Sequence, residues 1–371
     1  FFKPFYSLGV ATNRDAWCYN FSKTNITTNI STLINNYNKY LILHSIDEFI
    51  PWTVGLKNCF NKSIQLNFSN LNCRIGLYRP FCRQIVYFDK FLNERTLQIP
   101  KLFPTQNHKN LVICVPAPGG TNEFMPLISE FIPDLHFNGD AQCFPRYYYE
   151  EDTKKQHTLF SAQTVIDGYT RHDGITDWVY QECKTKYGPK VTKDTIFWYV
   201  YGLLHSEDYR KTYSDDLKKS LPRLPLVDNP EDFWAFSKGG EELARLHLNY
   251  ETVEPYAKVT VTGEDKGNFS VDKIRFVDKR DKSAIQFNPG IRITGIPLEA
   301  YGYVVNGRSA IEWIMDRYQV KIDKDSGIKN DPNDWAKEHK QPRYILEVLL
   351  KVITVSLKTL DITNKLPKLQ F

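Results

Sequence analysis

The chain has 371 residues, 42% of them hydrophobic, 14% aromatic and 25% charged, which excludes disorder, a collagen repeat or a coiled coil as its main state and leaves room for two domains or one large one. Its 48 Lys and Arg against 43 Asp and Glu give a net charge of only +5, so any affinity for nucleic acid must come from local clustering. Seven cysteines without a C-x-x-C pair suit a reducing compartment better than a disulfide framework or a zinc site. No secretory leader pattern opens the chain, and no stretch reaches the roughly eighteen uninterrupted apolar residues of a membrane helix. The expectation is a cytoplasmic protein without membrane contact. With Met125 and Met315 as its only methionines and Phe at position 1, it is expected to be a piece of a longer protein.

In chain order, residues 24–49 place Ile26, Ile30, Leu33, Ile34, Tyr37 and Leu41 at three- and four-residue steps, one apolar helical stripe. From 64 to 116 the pattern shifts to strands: SIQLNF alternates, IVYFD is β-rich, and LVICV (111–115) predicts a strand buried on both faces. HFNGDAQCFPRYYY (136–149) predicts two extended runs around an Asn138-Gly139 turn. Residues 151–174 lose periodicity and predict a boundary between a mixed half (1–150) and a helix-rich half (175–371). Helices are predicted over 175–188, 192–205, from Ser206 as N-cap, and over 241–250. Short strands at 258–263, 272–278, 283–287 and 291–295 predict a small meander, and a long helix from about Pro342 to Asn364 closes the chain. The fold class is therefore α/β in the mixed α+β sense.

Catalytic signatures are missing. GEDKGN (263–268) fails as a P-loop, which needs G-x-x-x-x-G-K-[ST] to cradle phosphates. The Asn/Asp-Pro pairs at 229, 288 and 331 lack the second Pro and aromatic of an adenine methyltransferase tetrapeptide. The eight histidines form no H-x-x-x-H pair, and His205 and His247 read as packed or capping groups. Pro133-Asp134 followed by Glu150 lacks the E-x-K of a nuclease. No catalytic or metal-ligating residue is nominated.

Residues 71–110 hold seven cations, Arg74, Arg79, Arg83, Lys90, Arg95, Lys101 and Lys109, against Asp89 and Glu94, a surplus equal to that of the whole chain. Aromatic residues and the amides Asn93 and Gln98 are interleaved. Arg reads guanine, Asn and Gln read adenine, and both Arg and Lys hold phosphate. A solvated cationic face over an aromatic core fits the same composition equally well.

The strings SLGVATNRDAWCYNFS (7–22), YRPFCRQIVYFDKFLNER (78–95), IPDLHFNGDAQCFPRYYY (132–149), IFWYVYGLLHSEDYR (196–210), DFWAFSKGGEELARLHLNYETVEPY (232–256), YVVNGRSAIEWIMDRYQVKIDKDSGIKNDPNDW (303–335) and PRYILEVLLKVITVSL (342–357) together resemble the C-terminal specificity region of type ISP restriction-modification enzymes. The resemblance implies a parent chain with a nuclease, a helicase-like ATPase and an N6-adenine methyltransferase, using Mg2+, ATP and S-adenosylmethionine. This piece would be its target recognition domain, non-enzymatic and without a cofactor of its own. Its implied partners are double-stranded DNA and the methyltransferase and helicase-like domains of the same polypeptide. The candidate DNA contacts are Arg79, Arg83, Gln84, Lys90, Asn93, Arg95 and Arg146, with Pro80 fixing a turn and Glu94 orienting Arg95. Arg14 and Asp15 are candidates either for DNA or for a mutual pair at the methyltransferase junction. Trp313 and Trp335 read as core, with Asn306 as an N-cap. The alternative is a structural module that couples methyltransferase to motor with little DNA contact.

Overall fold

A computed structural model describes residues 1–3, 5–45, 49–152 and 164–369. It is a mixed α/β architecture, in agreement with the sequence reading. The first long helix, Lys23–Leu43, starts at Ser22, whose hydroxyl accepts from the Asn25 N–H, and stops at His44 in the left-handed region. Its buried face carries Ile26, Ile30, Leu33, Ile34 and Tyr37, the stripe the spacing predicts, packed with Trp17, Leu56 and Leu92. SIQLNF is not a strand. Instead Asn38 on this helix accepts from the Leu66 N–H at 3.0 Å and donates to the Leu66 carbonyl at 2.8 Å, so one side chain replaces the partner strand.

One antiparallel sheet runs in the order Ser7–Leu8, Gln142–Pro145, Val112–Val115, Leu127–Ser129. Val112–Val115 is buried at every position, as its continuous apolar run requires. A second sheet runs Tyr19–Asn20, Cys82–Tyr87, Cys73–Arg79, Ile132–Pro133, with the last pair parallel. The expected extended run at 136 is instead a 3-10 turn, Leu135–Asn138, because Asn138 donates its amide to the Cys114 and Met125 carbonyls and Gly139 takes φ 58°. Extended structure resumes at Gln142–Pro145 and Tyr147–Glu151.

The predicted boundary contains paired strands: Val165–Ile166 joins Tyr169–Asp173, which joins Tyr147–Glu151, while 153–163 lie outside the described residues. Apolar packing crosses it twice. Ile113, Val115 and Ile128 share a core with the helices Asp177–Tyr187, Lys193–His205 and Pro230–Leu248, and Leu77, Phe81 and Phe137 share another with Tyr250, Tyr303 and Ile353. A strand buried on both faces must have a layer on each side, and the second layer comes from the far half of the sequence.

The helix expected from Glu241 begins at Pro230, where Asn229 caps the Glu231 N–H and Pro occupies the first turn. It crosses Lys193–His205 backbone to backbone: a Cβ on Gly240 would lie 1.9 Å from the Trp198 carbonyl oxygen, and one on Gly202 would lie 2.1 Å from that of Phe236. The later strands form the order Thr260–Thr262, Arg292–Thr294, Asp281–Gln286, Arg275–Asp278, a three-strand meander with its fourth strand added at the far edge. Asn306 is not a cap. At φ 47° it turns the hairpin Val304–Val305 to Arg308–Ser309 with Gly307, and Ser309 with Glu312 forms the capping box of Ala310–Arg317. Trp313 is buried and donates to the Val305 carbonyl, while Trp335 stacks on Tyr344. The closing helix is Tyr344–Asn364. Among the described residues no helix is long and apolar enough to cross a membrane.

Candidate nucleic-acid interface

The strand Cys73–Arg79 returns to Cys82–Tyr87 through Pro80 and Phe81, with Phe81 at φ 56°. Pro favours the first turn position, and the left-handed Phe81 is held by edge-on contacts with Tyr250, Tyr303 and His247. This turn aims Arg79 inward. Its guanidinium donates to Asp134 at 2.5 Å, lies 3.6 Å from Asp15 and covers the Tyr78 ring at 3.9 Å. Asp15 also accepts from Thr12 and from the Tyr78 hydroxyl. Burial pushes the Asp134 carboxyl up to about 7 against the opposing pull of Arg79. Burial opposes the Arg79 cation too, but Asp134, Tyr78 and Asp15 hold it above its ordinary value.

Four other sequence candidates are likewise built into the fold. Arg83 donates to the Leu248 carbonyl and Glu251 and lies 3.5 Å from Glu130, so it joins strand to helix end. Gln84 is 5% exposed and accepts from Asn330. Asn93 is 2% exposed, donates to the Tyr87 carbonyl and accepts from the Asp89 N–H, closing the loop that follows the strand. Arg146 bonds Asp173 and Asp194 at 2.5 and 2.6 Å. Where the sequence suggests that these side chains reach DNA, the structure gives them internal partners. The physical reason is that each lies at a junction where a buried donor or acceptor must be satisfied.

The suggested Arg14–Asp15 pair is also absent. Arg14 donates to the Leu92 and Pro51 carbonyls and to Thr53, tying its own turn to two other segments, while Asp15 faces Arg79. Glu94 does not orient Arg95. Its carboxylate accepts from the Gly55 N–H at the start of Val54–Asn61, a favourable place for an anion. Lys90 and Arg95 are exposed, Lys90 over the Phe91 ring and Arg95 joined to Ala11 through backbone bonds.

Apart from Lys109 among the cations of the 71–110 window, the sequence singles out nothing in the loop PTQNHKN (104–110). Arg74 donates to the Phe103 and Thr105 carbonyls at 2.5 and 2.7 Å. Asn107 donates to Asp167, His108 bonds Thr105 and Ile166, and Asn110 donates to the Leu102 and Tyr147 carbonyls. The Tyr149 hydroxyl donates to the Lys109 carbonyl. The loop edges a cleft of about 740 Å³ whose charged lining is Arg74 and Lys109 against Glu130. Burial lowers Arg74 to about 10, so it stays a cation at neutral pH. A second cavity of about 520 Å³ lies over Asn13, Asp15, His136 and Asp323. Among the described residues no three His, Cys, Asp or Glu side chains are grouped to hold a metal ion.

The type ISP C-terminal specificity domain model matches residues 1–348. Among solved structures, the DNA-bound ATP-dependent type ISP restriction-modification enzyme LlaBIII matches with TM-score 0.88 and 36% identity over 98% of this chain and 23% of that one. A nuclease-deletion mutant of the type ISP enzyme LlaGI, in complex with a DNA substrate mimic, matches with TM-score 0.85 and 36% identity over 100% of this chain and 33% of that one. A DrdV–DNA complex matches with TM-score 0.84 and 28% identity over 100% of this chain and 36% of that one. This chain thus spans about a third or less of the length of these proteins. No curated protein sequence matches it.

Proposed function

Because the chain belongs to the type ISP C-terminal specificity domain family, we propose that it recognises a target sequence in duplex DNA for a restriction-modification enzyme. The observation that carries this is the match of essentially the whole chain to part of two type ISP enzymes whose structures contain DNA or a DNA mimic, together with the specificity-domain match over residues 1–348. In this reading the chain binds and orients the duplex and performs no chemistry. Methylation with S-adenosylmethionine, and cleavage driven by ATP with Mg2+, belong to other domains of one cytoplasmic polypeptide. Lys90 and Arg95, exposed at the end of the second sheet, are proposed phosphate contacts. Arg79, Arg83, Gln84, Asn93 and Arg146 act as framework that fixes the reading surface.

Titration of the chain against a labelled duplex over rising salt tests this. Binding should weaken steeply with salt, and Lys90→Ala with Arg95→Ala should reduce the log–log salt slope by about 2 in total. No binding at low salt would overturn the reading. The coupling alternative draws on Arg83, which ties the sheet to the end of helix Pro230–Leu248. It predicts that Lys90→Ala with Arg95→Ala leaves DNA binding by the chain and its salt dependence unchanged.

A further inference from the structure

We propose that the cleft edged by residues 104–110 seats one strand of the duplex, with Lys109 contacting phosphate, Arg74 adding its charge from behind the loop, and Gln106 and Ile75 facing base edges. This inference rests on the DNA-reading function proposed above and assigns it a place. The loop is fixed at both ends and along its middle by Arg74, Asn107, His108 and Asn110, each of which is hydrogen-bonded to its neighbours. Gln106 and Lys109 alternate with those anchors. Both are exposed, and neither has a side-chain partner among the described residues. A rigid loop that leaves free one amide and one ammonium is preorganised for a polar ligand, because little ordering entropy remains to be lost on binding.

The chemistry of the free groups selects the ligand. Gln can pair with adenine N6 and N7, Lys can contact guanine or phosphate, and an exposed aliphatic side chain meets the thymine methyl. Ile75, on the strand Cys73–Arg79, is 50% exposed and lines the same cleft. Arg74 contributes a cation that has no carboxylate partner among the described residues, its donors going to carbonyl oxygens. The cleft's acid, Glu130, is met by Arg83 at 3.5 Å, which reduces its repulsion of a phosphate. Tyr147 continues the wall into a neighbouring cavity of about 310 Å³ and carries the Arg171 guanidinium over its ring at 4.4 Å. The lining is therefore cationic, aromatic and amide-bearing, the combination that holds a nucleic acid strand.

The test is selection of bound duplexes from a randomised pool by the chain and by its Gln106→Ala, Lys109→Ala and Lys279→Ala variants, followed by salt titration of the recovered sequences. Lys279 is an exposed cation at the tip of the 275–286 hairpin and serves as control. Gln106→Ala should relax preference at one position and weaken the selected duplex about tenfold. Lys109→Ala should weaken every duplex and lower the salt slope by about 1, while Lys279→Ala should match wild type. If wild type enriches a motif and both loop variants behave like Lys279→Ala, the assignment of the cleft is overturned while the reading function stands. If wild type binds no duplex at low salt, both fall.

Discussion

Arg79→Ala separates a DNA contact from a framework residue more sharply than any other substitution here. In the fold the guanidinium is 12% exposed and bonds an Asp134 carboxylate that is 2% exposed, with Asp15 behind it. Removing one partner of a buried pair leaves the other uncompensated, which costs about 3–5 kcal/mol. The loss should fall at the lower end, about 3 kcal/mol, because burial already pushes Asp134 up to about 7 and the carboxyl can escape by taking a proton. That gives the effect a sign in pH. A carboxyl whose folded pKa lies above its unfolded value of about 3.9 favours the folded state at low pH and loses that contribution as pH rises through the folded pKa. The deficit of Arg79→Ala relative to wild type should therefore be smaller at pH 5.5 than at pH 8. Urea unfolding at both values, with m held constant, reads it directly. Arg79→Met combined with Asp134→Leu should recover much of the loss, since it removes the stranded charge. An Arg79→Ala chain with wild-type stability and abolished DNA binding would refute the framework assignment.

Three further outcomes follow from the same packing. Gly240→Ala should cost about 2 kcal/mol or more despite its better helix propensity, because the new methyl meets the Trp198 carbonyl rather than a side chain that can swing away; a stability equal to wild type in thermal unfolding would contradict the backbone crossing. His205 and His247 are buried neutral, His205 lowered to about 3 and His247 also lowered, with burial the leading cause in each. Their folded pKa values lie below the unfolded 6.5, so stability is retained above 6.5 and each His withdraws up to about 1.4 kcal/mol per pH unit as the solution turns acid, partly offset by Asp134; His205→Asn should make the acid-side slope between pH 6 and pH 4.5 less steep by about that amount in urea titrations. Arg14→Ala should loosen the 51–53 and 89–95 loops together, seen as faster amide exchange at both, whereas a change confined to one would argue against the shared anchor.

Local pattern made several elements legible. The Ile26–Tyr37 stripe, the all-buried Val112–Val115 strand and the Ser206 cap each follow from spacing within a dozen residues. The Pro230 helix start was equally readable, since Asn-Pro-Glu-Asp is an N-cap, a first-turn proline and two acids, but the same letters attract attention as a failed methyltransferase motif. The site was less legible for a physical reason. Whether an arginine faces solvent or a carboxylate depends on partners far along the chain: Asp134 is 55 residues from Arg79 and Glu251 is 168 from Arg83. Neither periodicity nor composition carries that distance. The loop at 104–110 has no apolar repeat at all, so its rigidity appears only through the hydrogen bonds that fix it.

The cationic surplus of residues 71–110 survives this sorting, and where it survives matters for recognition. Arg79 and Arg83 face carboxylates at 2.5 to 3.6 Å, so their fields are largely cancelled at short range. Asp89 and Glu94 are engaged by backbone N–H groups and keep their charge, so they reduce the local surplus without forming a contact pair with a cation among the described residues. Arg74 bonds carbonyl dipoles and keeps its unit charge, and Lys90, Arg95, Lys101 and Lys109 are exposed. The fold thus uses the paired arginines to hold its turns in place and leaves the cations that have no acidic partner among the described residues as a surface field. A field of this kind attracts any duplex without regard to sequence. Discrimination must then come from neutral groups held rigidly beside it, and the amide of Gln106 on its anchored loop meets that requirement.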